Sequence, residues 1–459
     1  MSNPAPETYD VVGIGFGPSG LSLAIALEEV EGDDRERPIS AAFFERQKAF
    51  GWHRNMLLPS AKMQVAFLKD LATFRNPTSR YSFVAYLHSV GRLARFVNNQ
   101  DFFPTRQEFH DYLEWAEAKL SDRVTYNAEA TAIRLPDDER GDHVQVEITD
   151  GGGPRLVNAR NVVISTGLVP SMPAGIERGD RVWHSSEFIQ RFHACDPARL
   201  RRVVVAGAGQ SAAEITRFLY DSLPHADVFA VVPSYGYAIA DNTPFANQVF
   251  DPEAVDDHYF GSDQSRDAFW RYHSNTNYSV VDDDVIRDLY RRFYEDEVRK
   301  VNRLRFFRLS RVAGIQSNGT GARLSVRSLL VDQSVELEAD VLVCATGYAS
   351  MQPVRLLDEL DGLLHRDSEG RYQVERDYRL TSSPELVGGI YLQGGTEHTH
   401  GLSSSLLSNI AVRSGEIAES ILRTRSAQRA TTTDRVVTLP NPDSIFEFNH
   451  DVGALKGNR

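Results

Sequence analysis

Residues 9–20 read YDVVGIGFGPSG, an apolar run that ends in three closely spaced glycines, Gly15, Gly17 and Gly20. A strand, a glycine turn and a following helix are the elements with which a Rossmann-type unit begins. Glycine is needed there because a side chain would block the tight turn and the approach of a pyrophosphate to the free N–H groups of the helix. The pattern predicts a dinucleotide site, although a tight turn that binds nothing has the same sequence.

The next apolar run, residues 41–45, ends in Glu45. An acid at the end of this strand is suited to binding a ribose hydroxyl. Its distance from Gly15 exceeds the usual spacing of about 20 residues, and the polar stretch 31–38 accounts for the excess.

A second strand, turn and helix follow at residues 202–214, RVVVAGAGQSAAE, with alanine in the third glycine position. Two more strands run into glycines, at residues 162–167 (VVISTG) and 340–348 (DVLVCATGY), and these are typical of crossings between two domains. Flavoproteins that hold FAD and a nicotinamide nucleotide on separate domains have this order of motifs. We therefore predict an α/β fold with two Rossmann-like dinucleotide-binding domains and a smaller inserted substrate domain.

The predicted domain bounds follow from these motifs and from composition. Residues 241–299 are aromatic and acidic, which favours a substrate-binding region, and the chain after residue 425 reads as a C-terminal tail. The prediction places the FAD-binding domain at 1–165 and 340–425, the NADPH-binding domain at 166–240 and 300–339, the substrate-binding region at 241–299, and the tail at 426–459.

Composition excludes several classes of protein. The chain has 459 residues, 63 acids against 50 bases and a formal charge of -13, so a nucleic acid or an anionic membrane is a poor partner. No apolar run is long enough for a membrane span and no signal segment precedes Tyr9, which predicts a cytoplasmic protein. The two cysteines, Cys195 and Cys344, form neither a disulfide framework nor a CxxC site, and we interpret both as buried thiols.

Between and after the glycine turns the sequence becomes specific. Seven segments resemble the N-hydroxylating flavin monooxygenases over residues 9–422, and most closely the bacterial L-ornithine N-monooxygenases, with the lysine-specific branch as neighbour. The segments are FGWH (50–53), MQVAFLKDL (63–71), FPTR (103–106), DYLEW (111–115), PFAN (244–247), NTNYSVV (275–281) and HGLS (400–403).

The resemblance implies an enzyme in which NADPH reduces FAD, O2 adds to form a C4a-hydroperoxyflavin, and the neutral side-chain amine of L-ornithine attacks it. The flavin carries the chemistry, so no acid-base triad is implied. Asn277 is a candidate for a catalytic role. The resemblance also implies a role in siderophore or nonribosomal peptide biosynthesis and a homo-oligomer, either a tetramer or a dimer.

The same resemblance assigns binding residues. Its flavin contacts correspond to Gly15, Gly17, Gly20, Glu45, Trp52, His53, Met63, Gln64, the backbone near Ala130, Leu406 and Leu407. Its nicotinamide contacts correspond to Gly207, Gly209, Gln210 and Ser211. Its substrate contacts correspond to Lys69, Asn247, Asn277 and Ser408, or Ser404 in place of Ser408.

Simpler interpretations of these residues remain open at the level of sequence. Lys69 could form an exposed ion pair with the adjacent Asp70, and Asn247 and Asn277 could cap turns. Residues 397–400 read EHTH, which suggests a metal, but no further ligands stand at zinc spacing, so we interpret the segment as a flavin-contacting loop without metal.

One position departs from the family pattern. The second strand of the nicotinamide domain ends in Pro233, where family members often carry an arginine for the 2'-phosphate. No acid that would select NAD stands there either, so NADPH stays the predicted cofactor, with Ser234 or Arg217 as the alternative phosphate contact.

Other functions compete with ornithine hydroxylation. The enzyme could hydroxylate L-lysine or an aliphatic diamine. A disulfide reductase or a flavin-dependent NAD(P)H dehydrogenase has the same fold, but the reductase needs paired cysteines, which this chain lacks. A non-catalytic flavin-binding or redox-sensing protein would have lost the substrate residues, yet Lys69, Asn247 and Asn277 are present.

Overall fold

The computed structural model describes residues 6–31, 38–136, 142–318 and 321–432. Its strands lie mainly in two separate sheets. In chain order they are β1 (Thr8–Ile14), β2 (Ala41–Glu45), β3 (Val124–Tyr126), β4 (Glu129–Arg134), β5 (Val144–Asp150), β6 (Gly153–Ile164), β7 (Leu168–Pro170), β8 (Val182–His184), β9 (Arg202–Ala206), β10 (Asp227–Val231), β11 (Ala238–Ile239), β12 (Val280–Val281), β13 (Leu304–Phe307), β14 (Ser310–Asn318), β15 (Gly321–Ser328), β16 (Ser334–Ala339), β17 (Val341–Cys344), β18 (Tyr348–Ser350) and β19 (Gly389–Leu392).

Helices cover the sheets and form the region between β11 and β13. They are α1 (Pro18–Glu31), α2 (Phe83–Ser89), α3 (Leu93–Asn99), α4 (Arg106–Glu117), α5 (Phe188–Ala194), α6 (Gln210–Ser222), α7 (Glu253–Tyr259), α8 (Asp263–His273), α9 (Asp283–Arg299), α10 (Val354–Leu357), α11 (Glu397–His400) and α12 (Ile410–Thr432).

The first sheet has seven strands in the order β3-β2-β1-β6-β5-β4, with β19 also paired to β6. Strand β1 lies at its centre, parallel to β2 and β6, and its residues from Val11 to Ile14 are buried. A parallel strand covered on both faces is apolar throughout, which is why β1 shows no alternation of polar and apolar residues. The first glycine turn follows directly at its carboxyl end.

The second sheet is parallel, in the order β13-β10-β9-β17-β8. Its central strand β9 leads into the second glycine turn and α6, as predicted. Together, the two sheets confirm the predicted α/β class with two Rossmann-type domains.

Two predicted domain bounds need correction. Strand β17 pairs with β9, so residues 341–344 belong to the second sheet, and the boundary at residue 340 was placed too early. The apolar run VLVC alone does not show which sheet it joins. Helix α9 buries Val285 and Leu289 in the core of the second domain, so the inserted region ends before α9 and not at residue 299.

The chain passes between the sheets twice. It leaves the first sheet after β6 and returns after β17, and the two crossing segments, β7 and β18, pair with each other in antiparallel fashion. Both crossings contain a glycine with positive φ, Gly167 (72°) and Gly347 (82°). The STG and ATGY motifs are therefore the points at which the chain changes domain.

Residues up to Ala418 form one compact unit. In the second unit, which begins at Glu419, the described residues continue α12 to Thr432. Residues 426–432 of the predicted tail are thus helical, and residues 433–459 lie outside the described residues. Among the described helices, none is long and apolar enough to cross a membrane.

The cysteines are both free thiols in the second domain, but only Cys344 is fully buried. Burial raises the pKa of Cys344 to about 12. Cys195 is half-buried and its thiol contacts the carbonyl oxygen of Phe192 at 3.1 Å. The prediction of two buried thiols was wrong for Cys195, which follows the end of helix α5.

Candidate active site

The three glycines of the first turn differ in what surrounds the position of a Cβ atom. Gly15 has a φ of 93°, and a Cβ there would lie 2.5 Å from the carbonyl oxygen of Ser165. A Cβ at Gly20 would lie 2.3 Å from the carbonyl oxygen of Gly15. At Gly17 no atom of the described residues, apart from its own chain neighbours, lies within 4 Å of the Cβ position. Gly15 and Gly20 are required by the fold, whereas Gly17 keeps the backbone open to a ligand.

Glu45 ends β2 beside this turn and is buried. Its Oε2 accepts a hydrogen bond from the backbone N–H of Phe16 at 2.8 Å, and its Oε1 accepts one from Gln47 at 2.8 Å. The backbone N–H of Ala128 donates to the carbonyl oxygen of Glu45 at 3.0 Å, which brings the segment before Ala130 to the same place. Each carboxylate oxygen has a further lone pair, so the fixed carboxylate can accept hydrogen bonds from the hydroxyl groups of a ribose.

The FGWH and MQ segments contact different parts of the protein. His53 has a φ of 48°, and its ring packs edge-on against Trp52 (4.6 Å between centroids) and Tyr348 (6.1 Å). Met63 is buried, and its backbone N–H donates to the carbonyl oxygen of Pro104 at 2.9 Å. The structure therefore places His53, with Trp52 beside it, close to Tyr348 in the second crossing, and Met63 beside the FPTR segment.

The loop after β19 carries unsatisfied polar groups. The hydroxyl groups of Thr396, Ser404 and Ser408 are buried and have no hydrogen-bond partner in the described part of the protein. A buried polar group without a partner costs about 1–3 kcal/mol. The partly buried Leu406 and Leu407 lie in the same loop. These hydroxyl groups fit a polar ligand such as FAD or an amino acid, which would supply the missing partners.

In the second turn, as in the first, one glycine is enclosed by the fold and the next is open. Gly207 has a φ of 144°, and a Cβ there would lie 2.2 Å from the carbonyl oxygen of Ala345. At Gly209, which caps α6, the nearest atom to the Cβ position is the Cα of Ser279 at 3.9 Å. Gly209 therefore leaves the N-terminus of α6 accessible to a pyrophosphate, with the loop at Ser279 beside it.

The side chain of Gln210 is bound by the protein itself. Its Nε2 donates to Glu214 Oε1 and to Asp282 Oδ2, both at 3.0 Å, and its Oε1 accepts from the backbone N–H of Asp282 at 2.9 Å. Both amide hydrogens of Gln210 are thus in use. These bonds do not test the predicted contact of Gln210 with the nicotinamide nucleotide. In the first turn of α6 they leave Ser211 and the backbone as the groups more available to bind it.

Asp282 joins this glutamine to the flavin side of the site. Its Oδ1 accepts from Gln64 Nε2 at 3.1 Å, while its Oδ2 accepts from Gln210. Burial raises the pKa of the Asp282 carboxyl. One carboxylate therefore connects a predicted flavin contact with a predicted nicotinamide contact, a link that sequence reasoning missed.

A second missed link is the ion pair of Arg106 with Glu214. The two guanidinium nitrogens lie 2.9 and 3.0 Å from the two carboxylate oxygens, and the side chain of Glu214 is 1% exposed. A signal existed in the sequence, because Glu214 lies among the apolar residues of α6 and a buried acid needs a partner. The FPTR segment supplies that partner from the first domain.

Lys69 lies half-buried, with its ammonium group 5.8 Å from the ring centres of both Phe74 and Phe250. Burial lowers the pKa of Lys69, while the charge of Asp251 acts in the opposite direction. The alternative of an ion pair with Asp70 is wrong. Asp70 is buried, and its carboxylate accepts hydrogen bonds from Ala72, Thr73 and Phe83.

The inserted region brings other predicted substrate residues towards Lys69. Asn247 lies in the same short helical segment as Phe250. Asn409, next to Ser408, donates from Nδ2 to the carbonyl oxygen of Asp251 at 3.4 Å. Lys69 and Asn409 therefore lie beside the segment 247–251, which contains Asn247 and whose members Phe250 and Asp251 the sequence analysis did not single out.

Asn247 has the side-chain turn contact that the alternative interpretation expects, whereas the turn contact of Asn277 is made by its backbone. Asn247 Nδ2 donates to the carbonyl oxygen of Asn242 at 2.8 Å, and the backbone N–H of Asn277 lies 3.3 Å from the carbonyl oxygen of Ser274. The neighbouring Tyr278 hydroxyl donates to Glu397 Oε1 at 2.6 Å. The residue that follows Asn277 thus contacts α11, next to Thr396, and the turn contact of Asn247 uses its amide nitrogen and not its amide oxygen.

The histidines of the EHTH segment are engaged with the backbone. His398 Nε2 donates to the carbonyl oxygen of Tyr372 at 3.0 Å, and His400 Nε2 donates to that of Arg376 at 3.1 Å. Burial lowers the pKa of His400 to about 3. Both imidazoles hold α11 in place at the start of the loop that carries Ser404 and Ser408.

Comparison with known proteins decides the family. The model of the L-lysine 6-monooxygenase/L-ornithine 5-monooxygenase family matches residues 7–350. The chain belongs to this family. Membership confirms the predicted resemblance and the predicted class of enzyme, and it replaces the hypotheses of a disulfide reductase, a dehydrogenase and a non-catalytic flavoprotein.

Individual members of the family match nearly the whole chain. The ornithine N-hydroxylase of Kutzneria sp. 744, solved with reduced FAD, NADP+ and L-ornithine, is 61% identical with a TM-score of 0.88, covering 91% of this chain and 100% of that one. The ornithine hydroxylase of Pseudomonas aeruginosa is 33% identical with a TM-score of 0.85, covering 91% and 100%. An L-ornithine N(5)-monooxygenase of Burkholderia cepacia is 37% identical over 441 residues, which are 94% of this chain and 96% of that one.

Proposed function

We propose that this family member hydroxylates the side-chain amine of L-ornithine, using FAD, NADPH and O2. The observation that carries the proposal is the half-buried ammonium group of Lys69, which faces Phe250 and Asp251 and has no part in an ion pair with Asp70. A cation in this position fits the α-carboxylate of an amino acid. The identity of 61% to an ornithine N-hydroxylase supports ornithine in particular.

The two glycine turns divide the cofactors between the domains. The turn at Gly15–Gly20, Glu45 and the loop with Thr396 and Ser404 would hold FAD, and the turn at Gly207–Ser211 would hold NADPH. When bound, the flavin accepts a hydride from NADPH and activates O2 for transfer to an amine. The protein supplies the relative position of the two nucleotides and a site from which water is excluded.

The substrate residues have to hold the reacting amine in its neutral form. A free side-chain ammonium has a pKa near about 10.4, so only a small fraction is neutral at pH 7. Removal from water disfavours the charged form. The amide groups of Asn247 and Asn277 can accept or donate a hydrogen bond without stabilising an ammonium ion, so they orient the amine and leave it nucleophilic.

The family description covers both lysine and ornithine, so membership alone does not choose between them. The cation at Lys69 favours an amino acid over putrescine or cadaverine, which have no carboxylate. Lysine differs from ornithine by one methylene, which a pocket discriminates by about 1–3 kcal/mol. Ornithine is the better candidate because of the identity to the Kutzneria enzyme.

A substrate panel tests the proposal. The purified holoenzyme is supplied with NADPH, O2 and one of ornithine, lysine, putrescine or cadaverine, and the hydroxylated product is quantified by mass spectrometry. We expect N5-hydroxyornithine as the main product. Equal or greater hydroxylation of lysine or of a diamine would contradict the assignment.

The homo-oligomer and the cytoplasmic location stay predictions.

A further inference from the structure

The second strand of the nicotinamide domain, β10, is followed by Pro233 and not by a charged residue. Strand β10 ends at Val231, and the residues that follow, VPSYGY (232–237), contain no acid and no cation. In this type of domain the adenosine ribose lies at the carboxyl end of the second strand, where an acid selects NAD and an arginine selects NADP. A cation for the 2'-phosphate therefore has to come from elsewhere in the fold.

The strand next to β10 supplies one. Val231 is in register with Phe307 of the parallel strand β13. The backbone N–H of Val232 donates to the carbonyl oxygen of Phe307 at 3.0 Å, and the backbone N–H of Leu309 donates to the carbonyl oxygen of Ser234 at 2.9 Å. Since parallel strands end at the same edge of a sheet, Arg308 stands beside Pro233.

The guanidinium group of Arg308 is oriented but not neutralised. It lies 5.8 Å from the ring centre of Tyr235, and both residues are exposed. In the described part of the protein Arg308 has no carboxylate partner, whereas Arg305, on the same strand, pairs with Asp227 at 3.6 Å. A cation–π contact of this kind leaves the N–H donors of the guanidinium group for an anion.

The two alternatives from the sequence are less suited. The hydroxyl of Ser234 donates to the carbonyl oxygen of Gly236 at 2.6 Å, so its proton is already used. Arg217 lies within α6 and not at the edge of the sheet where β10 and β13 end. It serves as the comparison in the experiment below.

We propose that Arg308, beside Tyr235, binds the 2'-phosphate of NADPH, for which the end of β10 supplies no cation. This rests on the proposed function only in so far as the second glycine turn binds a nicotinamide nucleotide. A guanidinium group binds a phosphate by two parallel hydrogen bonds, which gives selectivity for NADPH over NADH. This chain then keeps its preference for NADPH although the usual residue is absent.

The test measures binding of NADP+ and NAD+ to the oxidised holoenzyme by calorimetry, in the absence of ornithine. Hydrogen bonds to charged groups contribute about 1.5–3 kcal/mol, so Arg308→Gln should raise the Kd for NADP+ by about ten- to a hundredfold and leave the Kd for NAD+ unchanged. Tyr235→Ala should give a smaller loss that is also confined to NADP+. The matched control, Arg305→Gln on the same strand, should bind both nucleotides as the wild type does.

Three results from the variants would overturn the inference. They are an unchanged Kd for NADP+ in Arg308→Gln, an equal loss of affinity for both nucleotides, and a selective loss in Arg217→Gln instead. A wild-type protein that binds the two nucleotides equally would also overturn it. Because ornithine takes no part in this measurement, failure here leaves the substrate assignment standing, and failure of the substrate panel leaves this result intact.

Discussion

Arg106 and Glu214 form a two-point ion pair between the two dinucleotide-binding domains, with N–O distances of 2.9 and 3.0 Å. Arg106 begins α4 beside the first sheet, and Glu214 lies on α6 of the second domain. The guanidinium group also donates to the carbonyl oxygen of Met56 at 2.7 Å. The pair therefore fixes the second glycine turn relative to the loop that precedes Met63 and Gln64.

Removing one partner should destabilise the protein markedly. Glu214→Gln leaves the charge of Arg106 buried without compensation, which costs about 3–5 kcal/mol. Urea denaturation of the purified protein measures this loss in the free energy of unfolding. The control Lys62→Gln breaks an exposed pair with Asp101 and should cost less than about 1 kcal/mol. Similar small losses in both variants would show that the buried pair does not hold the domains.

Asp282 should set the rate of hydride transfer. Asp282→Asn cannot accept hydrogen bonds from both Gln64 and Gln210 through two equivalent oxygens, so the nicotinamide turn loses its tie to the flavin side. A misplacement of about 1 Å can cost a hundredfold in rate, and we expect anaerobic flavin reduction by NADPH to slow at least tenfold with normal FAD content. Asp284→Asn removes a charge from the same turn of α9 and should reduce normally. Normal reduction in Asp282→Asn would refute the positioning role.

The first glycine turn makes a prediction that separates folding from ligand binding. A Cβ at Gly17 meets no atom within 4 Å among the described residues beyond its chain neighbours, whereas one at Gly20 lies 2.3 Å from a backbone oxygen. Gly17→Val should therefore give a folded protein that has lost FAD, and Gly20→Ala should unfold at a lower temperature. FAD content and melting temperature of the two proteins check this. Retention of FAD in Gly17→Val would place the pyrophosphate elsewhere.

The pH dependence should differ between substrate binding and turnover. Lys69 binds a carboxylate only as an ammonium ion, and burial lowers its pKa below the ordinary value of 10.5. The KM for ornithine should stay low below this pKa and rise as the pH passes through it. The rate of hydroxylation at saturation should instead increase with pH, because the reacting amine must be neutral. Product assays from pH 7 to 10.5 measure both, and a KM that is constant over this range would contradict the role of Lys69.

Local requirements made the framework predictable from sequence. Each glycine turn depends on residues within a few positions of one another, so Gly15, Gly17, Gly20, Gly207 and Gly209 could be assigned before the structure was known. The sheet membership of β17 was not predictable in this way, because an apolar run such as residues 341–344 suits either sheet equally well.

The links between the domains could not be read from the sequence. Arg106 and Glu214 are 108 residues apart, and Gln64 and Asp282 are 218 residues apart. Nothing in a local pattern pairs them, and only the buried position of Glu214 on α6 indicated that a partner was needed. The partner of Gln210 could not be predicted from the sequence either. Its side chain binds Asp282, which is 72 residues away along the chain.

Recognition of the carboxylate of ornithine by Lys69 is the interaction on which the choice of substrate most directly depends. The decisive measurement compares kcat/KM for hydroxylation of ornithine and of putrescine, which is ornithine without its carboxylate, in the wild type and in Lys69→Ala, with FAD content as the control for folding. We expect the wild type to prefer ornithine strongly, and the variant to lose about ten- to a hundredfold on ornithine while putrescine is little affected, since a charged hydrogen bond is worth about 1.5–3 kcal/mol. Equal losses on both substrates, or a wild-type enzyme that uses putrescine as well as ornithine, would contradict the assignment.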